Sequence, residues 1–463
     1  MNRREFIKAT AGAAMLGLPE WSRGAVESHP VSSTSPSGNA ARPNVLWVLG
    51  DDLGPDLACY DTPLVKTPNS DRLAKEGIRF TRAYTTAPVC SPSRSALITG
   101  MYQTSIGAHN HRSHRNDGYT LPEGIKPVTD CFRAAGYFTC NVVDKEIGGN
   151  GKTDFNFSAP KAFDGSHWRQ RRPDQPFFAQ LTIKEPHRAF QPDQADPIDP
   201  DQVKLPPYVP DDPVARKDQA LYLEMVQQFD RKLGRVLKQL EEDKLADNTI
   251  VFVFGDNGRC HVRDKQFLYD GGIHVPLIIR WPGHSRGGQV REDLVSAIDV
   301  TATSLALAGA DVPKHMQGQV FLGPGARERK YLFAARDRCD ETIDRIRSVQ
   351  TTRYRHIRNF MPERPYMQPN AYKEKSYPVW NLLKKLKAEG KLTPEQQFFT
   401  ADRRPPEELY DLQSDPHEVK NLVDSPQHAD MLKELRGALN KWIEDTKDQG
   451  AVPEPPPAQT RPR

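Results

Sequence analysis

Two unbroken apolar runs, Val45-Leu46-Trp47-Val48-Leu49 and Thr249-Ile250-Val251-Phe252-Val253-Phe254, restrict the architecture more than anything else in the chain. Neither alternates between apolar and polar residues, so each predicts a strand covered on both faces, as in a largely parallel sheet held between helices. Both end in small acidic turns, Gly50-Asp51-Asp52-Leu53-Gly54 and Gly255-Asp256-Asn257-Gly258. Two strands therefore present Asp-Asp and Asp-Asn at one edge of the sheet, and in open α/β sheets that carboxyl edge is where ligands bind.

Further strands are expected over 136–143, over 177–183 (delivering Lys184-Glu185-Pro186-His187) and over 275–280. Helices are expected over 67–76, with Gly77 as the stop, and over 293–310, closed by Gly309. Another is expected over 216–242, where Met225, Phe229, Leu233, Val236, Leu237 and Leu240 form one apolar stripe. After Pro324 the pattern changes to short alternating segments near 348–352, 354–357 and 408–412, followed by an amphipathic helix over 429–445. The fold class is thus α/β. A large mixed, mostly parallel sheet sandwiched by helices spans 43–325, and a smaller C-terminal α+β subdomain with a short antiparallel sheet spans 326–450.

The ends read differently. Asn2-Arg3-Arg4-Glu5-Phe6-Ile7-Lys8 precedes a short apolar run rich in alanine and glycine, which looks like a twin-arginine export signal over 1–25. That run is too short for a stable membrane anchor, so the expectation is passage through the twin-arginine translocon to a periplasmic or secreted location. Residues 26–42 read as a flexible linker, and 451–463 as a disordered tail. The net charge of +4 gives no argument for nucleic acid. The six cysteines could form disulfides in an oxidising compartment, and if one of them were chemically converted at least one of the other five would stay single within the chain.

Cys90-Ser91-Pro92-Ser93-Arg94 reads as a helix start, with Ser91 as the cap, Pro92 in the first turn and Gly100 as the stop. Cys90 would then face the positive end of the helix, a setting that welcomes an anion. With the following Ser-Ala-Leu-Ile-Thr-Gly, this stretch resembles the signature of the type I sulfatases of the alkaline phosphatase superfamily. The resemblance implies an alkaline phosphatase-like fold and oxidation of Cys90 to formylglycine by a formylglycine-generating enzyme. It further implies a hydrated aldehyde that attacks sulfur, with a sulfated carbohydrate or a small sulfate ester as substrate.

Carried over residue by residue, the resemblance gives Asp51, Asp52, Asp256 and Asn257 as metal ligands, with Cys90 as the fifth contributor. This hard all-oxygen set suits Ca²⁺ or Mg²⁺. Arg94 matches the arginine that orients the formylglycine. Lys265 matches the lysine placed on the sulfate, and His187 the histidine that protonates the leaving oxygen. Two departures stand out. Lys184 replaces the first histidine of the family's His-x-Pro-His segment, and the family's Gly-Lys-x-His is missing. Lys152, in Lys-Thr-Asp-Phe-Asn, is the candidate second sulfate lysine, with Lys145 as the alternative, while His109 or His111 could serve as the base beside residue 90.

The phrases Glu408-Leu409-Tyr410-Asp411-Leu412 and Asp415-Pro416-His417-Glu418 also resemble the sulfatase C-terminal portion, and His187-Arg188 resembles the heparan N-sulfatase branch. The rival expectations are a phosphoester or phosphonate monoester hydrolase of the same superfamily and a catalytically silent protein that binds sulfated glycans.

Overall fold

A computed structural model describes residues 42–114, 117–142 and 151–453. The expected signal, nearly all of the linker, most of the tail and Lys145 lie outside these residues.

Seven strands form the main sheet: β1 (Asn44–Gly50), β2 (Ile78–Tyr84), β3 (Phe138–Val142), β4 (Phe177–Ile183), β5 (Thr249–Gly255), β6 (His274–Arg280) and β7 (Gln289–Ser296). Their spatial order is β3-β4-β1-β5-β6-β2-β7. Only β6 runs against its neighbours; all other pairings are parallel. The mixed, mostly parallel sheet expected from the apolar runs is thus present.

The two layers explain why those runs lack alternation. In β1, Leu46 and Val48 join Val251 and Val253 of β5 on one face, packed against Phe229, Leu233, Val236, Leu237 and Leu240 of the long helix Pro213–Glu242. Val45, Trp47 and Leu49 join Ile250, Phe252 and Phe254 on the other face. There they meet Leu97 and Ile98 of the helix Cys90–Thr99, Phe132 of Val128–Ala134, and Val300 and Leu305 of Ala297–Leu307. Every residue of β1 and β5 is buried, so a polar side chain on either face would lose its water.

A second sheet, antiparallel throughout, holds β8 (Leu332–Arg336), β9 (Ile346–Gln350), β10 (Tyr354–Asn359) and β11 (Glu407–Asp411) in the order β11-β10-β9-β8. The amphipathic helix Ala429–Asp445 buries Leu432, Leu435, Leu439 and Trp442 beside it, in one cluster with Val349 and Leu409.

Two sequence expectations are corrected. The segment 293–310 is not all helix. Its first residues complete β7, and the helix begins at Ala297, where Ser296 and Asp299 form a capping box. The motif helix begins at Cys90 and not after Ser91: Val89 is its N-cap, and the Ser91 hydroxyl accepts instead from the Arg112 backbone N–H at 2.8 Å. Beyond these, β2 and the short helices Ala371–Ser376, Pro378–Ala388 and Pro394–Thr400 had no clear sequence signature.

Candidate active site

The register of the central strands sets the site. Gly50 pairs with Ile183 of β4 on one side and Gly255 of β5 on the other, so three carboxyl ends finish level. The Asp51 N–H donates to the Ile183 carbonyl (3.1 Å), and the Asp256 N–H to the Gly50 carbonyl (3.1 Å). Asp52 turns into the left-handed region, with φ of 66°, and its N–H donates to Asp256 Oδ1 at 3.0 Å. Gly255 is required at this crossing, because a Cβ there would lie 2.2 Å from the Leu53 carbonyl oxygen.

Carboxylate oxygens of Asp51, Asp52 and Asp256 consequently lie within 4.8 Å of one another. Three buried negative charges so close are unfavourable unless cations face them. The Lys152 ammonium bonds both oxygens of Asp51 (2.9 and 2.8 Å), and the Lys265 ammonium both oxygens of Asp52 (2.6 and 2.8 Å). Arg94 Nε donates to Asp256 Oδ2 at 2.8 Å, and its Nη1 to Thr182 Oγ1 at 3.0 Å. Burial opposes ionisation of Asp51 and Asp52, yet Lys152 and Lys265 respectively hold their carboxyls below the usual range. Asp256 is pushed up, by burial first and then by Asp51.

The same residues fit a divalent cation. Asn257 donates through Nδ2 to Asp52 Oδ1 (2.8 Å) and to the Gly258 carbonyl (2.9 Å), while its buried Oδ1 has no hydrogen-bond partner among the described residues. An orphaned acceptor beside three carboxylates is a donor set for a hard ion such as Ca²⁺ or Mg²⁺. The Cys90 sulfur does not join the converging oxygens.

Cys90 is buried with Val89 and Cys339, and all six cysteines are unpaired. The charges of Arg94, Lys152 and Lys265 all interact with it. Its sulfur lies 3.8 Å from His111 Nε2, and His111 Nδ1 lies 3.0 Å from Asp340 Oδ1. A carboxylate accepting at Nδ1 fixes the tautomer that leaves Nε2 as an acceptor toward residue 90. Burial pushes the His111 imidazole down, against the pull of Asp340, and so favours its neutral form. His109 is buried two residues earlier in the same loop. His187 is partly exposed, with Nε2 3.8 Å from Asp52 Oδ2.

Asp51, Asp52, Lys152, His187, Asp256, Asn257 and Lys265 therefore meet at one sheet edge, with Cys90 and Arg94 on the helix that faces it and His111 beside Cys90. His109 is placed only in the loop that carries His111. Asp340 was missed, because it lies in a charged loop after β8 with no motif around it.

Comparison with known proteins adds an independent line. The model of the sulfatase family matches residues 43–170 and 159–310, and that of the N-sulphoglucosamine sulphohydrolase C-terminal region matches 258–367. An ulvan-active sulfatase of Formosa agariphila is 35% identical over 465 residues, covering 89% of this chain and 76% of that protein. Human N-sulphoglucosamine sulphohydrolase is 28% identical over 471 residues, covering 88% and 91%. Among solved structures, a protein in complex with its substrate D-glucosamine-2-N,6-O-disulfate shares the fold, with a TM-score of 0.63 and 18% identity over 88% of this chain and 98% of that one. The phosphonate monoester hydrolase of Agrobacterium radiobacter does so with a TM-score of 0.62 and 20% identity over 91% and 100%.

Proposed function

This chain belongs to the sulfatase family and is by that membership a sulfuric ester hydrolase, and we propose that it removes sulfate from a sulfated carbohydrate by way of formylglycine at position 90. The observation that carries the proposal is the convergence of Asp51, Asp52, Asp256 and the orphaned Asn257 Oδ1 beneath a helix that begins at Cys90. Relatives named for ulvan and for N-sulphoglucosamine support a carbohydrate substrate.

Oxidised and hydrated, residue 90 would supply a diol, one hydroxyl of which displaces the alcohol from sulfur while the other later expels sulfate and restores the aldehyde. A divalent cation held by Asp51, Asp52, Asp256 and Asn257 would supply Lewis-acid polarisation of a sulfate oxygen and a more acidic hydroxyl. The remaining roles belong to the chain's own groups. Lys152 and Lys265 bring positive charge to the sulfate, where an all-carboxylate site would repel it. Arg94 keeps a buried Nη2 without a partner among the described residues, a donor suited to an oxygen on residue 90. His187, partly exposed beside Asp52, gives its proton to the departing oxygen. His111, backed by Asp340, takes the proton from the second hydroxyl and so fills the place of the histidine absent from Lys152-Thr153-Asp154.

We extend the proposal to export: Arg3-Arg4 and the short apolar run after them support a twin-arginine route to the periplasm or beyond. The deciding experiment is mass spectrometry of the peptide holding residue 90, alongside turnover of aryl sulfate and aryl phosphate esters. An aldehyde and a preference for sulfate are expected. An unmodified thiol in active enzyme overturns the mechanism, and a preference for phosphate overturns the substrate class.

A further inference from the structure

Lys373 is wholly buried, and among the described residues it forms no ion pair with a carboxylate. Its Nζ donates to the Lys265 carbonyl at 2.8 Å and lies 3.5 Å from that of Val262. The ammonium stands over the rings of Tyr377, Phe267 and Trp380, at 4.7, 5.2 and 5.5 Å from their centroids. Burial pushes it down to about 7, with Asp264 pulling the other way and Lys265, Arg336 and Arg188 adding to the fall. A buried ammonium is costly unless its donors are used, and here they go to backbone carbonyls and aromatic faces instead of a carboxylate.

The contact is useful because of what it holds. Lys265 projects its own ammonium onto Asp52, and the next residue, Gln266, sits at φ 77° with its N–H on the Pro88 carbonyl, just before the motif helix. The loop carrying Lys265 is thus tied to the main body at Gln266 and to the C-terminal unit through Lys373. Lys373 itself is fixed by Asn370, whose side chain accepts from the Lys373 N–H at 2.8 Å and caps the helix Ala371–Ser376.

We propose that Lys373 is a positioning residue for Lys265: its ammonium, bound to the Lys265 carbonyl, sets the backbone from which the sulfate-directed lysine reaches the site. The role rests on the assignment of Lys265 to the sulfate.

The test uses the full chain with four variants. Lys373→Met should leave the chain folded with a thermal midpoint close to wild type, since relief of the buried charge offsets the hydrogen bonds lost by the Lys265 and Val262 carbonyls. It should lower kcat on a chromogenic aryl sulfate about 10- to 100-fold, with KM little changed, because a small misplacement of a catalytic group costs that much. Made on Lys265→Ala, the same change should cost nothing further, since the two act as one unit. If Met unfolds the chain, Lys373→Gln is read by the same two comparisons. A wild-type kcat in the Lys373 variant beside a crippled Lys265→Ala overturns the positioning role alone, as does an additional loss in the double variant. Full activity in Lys265→Ala instead overturns the sulfate assignment beneath it.

Discussion

His111 and Asp340 stand 3.0 Å apart across 229 positions of sequence, joining the loop after the motif helix to the loop after β8. Asp340 is also anchored from its other oxygen, which accepts from Gln266 Nε2 at 3.1 Å and from Asn370 Nδ2 at 3.5 Å. The imidazole beside residue 90 is therefore oriented by a carboxylate that is itself held on two sides, the arrangement a proton acceptor needs.

His111→Ala should lower kcat about 10²- to 10⁴-fold, the usual worth of a positioned base, with the Michaelis constant nearly unchanged. Because His111 is assigned to the second half-reaction, sulfated protein should build up during turnover. Intact-mass measurement of the quenched enzyme reads this directly. Asp340→Asn keeps the shape but loses the charge at Nδ1, so a smaller loss of the same kind is expected. Rapid turnover by His111→Ala would assign the proton transfer elsewhere.

Calcium should raise the thermal midpoint of the wild-type chain. A ligand bound only by the folded state adds about 2.7 kcal/mol at a hundredfold excess over its dissociation constant. Asn257→Ala removes the one neutral donor and should shift the calcium titration to higher concentration. Asp51→Asn leaves Lys152 without its carboxylate and should weaken the response further. A midpoint indifferent to both calcium and magnesium would argue against a metal at this edge.

Acid stability should depend on Asp218. Its carboxylate takes a bidentate pair from the Arg188 guanidinium and lies 3.3 Å from His261 Nδ1. Burial opposes the charge, but hydrogen bonds from His261 and Arg188 pull the group from 3.8 to about 2. A folded-state value below the unfolded one means stability fully present above about pH 4 and lost as pH falls toward 2, worth roughly 2 kcal/mol. Asp218→Asn should be less stable at pH 7, because Arg188 loses its partner. It should also show a flatter midpoint against pH between 4 and 2, which differential scanning calorimetry can follow.

The parts legible in the sequence were those whose cause is local. The apolar runs of β1 and β5 declare two covered faces because successive side chains alternate between layers, and the acids after them must fall at the strand ends. Cys90 and Arg94 share one helix, so their relation follows from one turn of spacing. The hidden parts depend on distant pairing. Nothing near Asp340 announces that it will meet His111, and nothing around Lys373 shows that its ammonium will reach the Lys265 carbonyl and the Phe267 ring. Lys152 falls between these cases: its phrase suggested a role, but only the fold places its ammonium on Asp51.

Arg94 faces two ways, toward residue 90 on its own helix and toward Asp256 at the sheet edge. It is buried one helical turn from Cys90, and its guanidinium is the direct partner of Asp256 at 2.8 Å. Arg94→Ala should therefore do more than slow the reaction, because a buried carboxylate that loses its cation typically costs 3–5 kcal/mol. The expected result is a lower thermal midpoint in chelator together with a large fall in kcat. Asp256 is also a proposed metal ligand, so added calcium should recover part of the midpoint by supplying the missing positive charge. It should not recover the rate, since no ion replaces the unpartnered Nη2 donor assigned to residue 90. Stability restored without activity would separate the two duties of this arginine, whereas a midpoint unmoved by the substitution would show that Asp256 does not depend on Arg94.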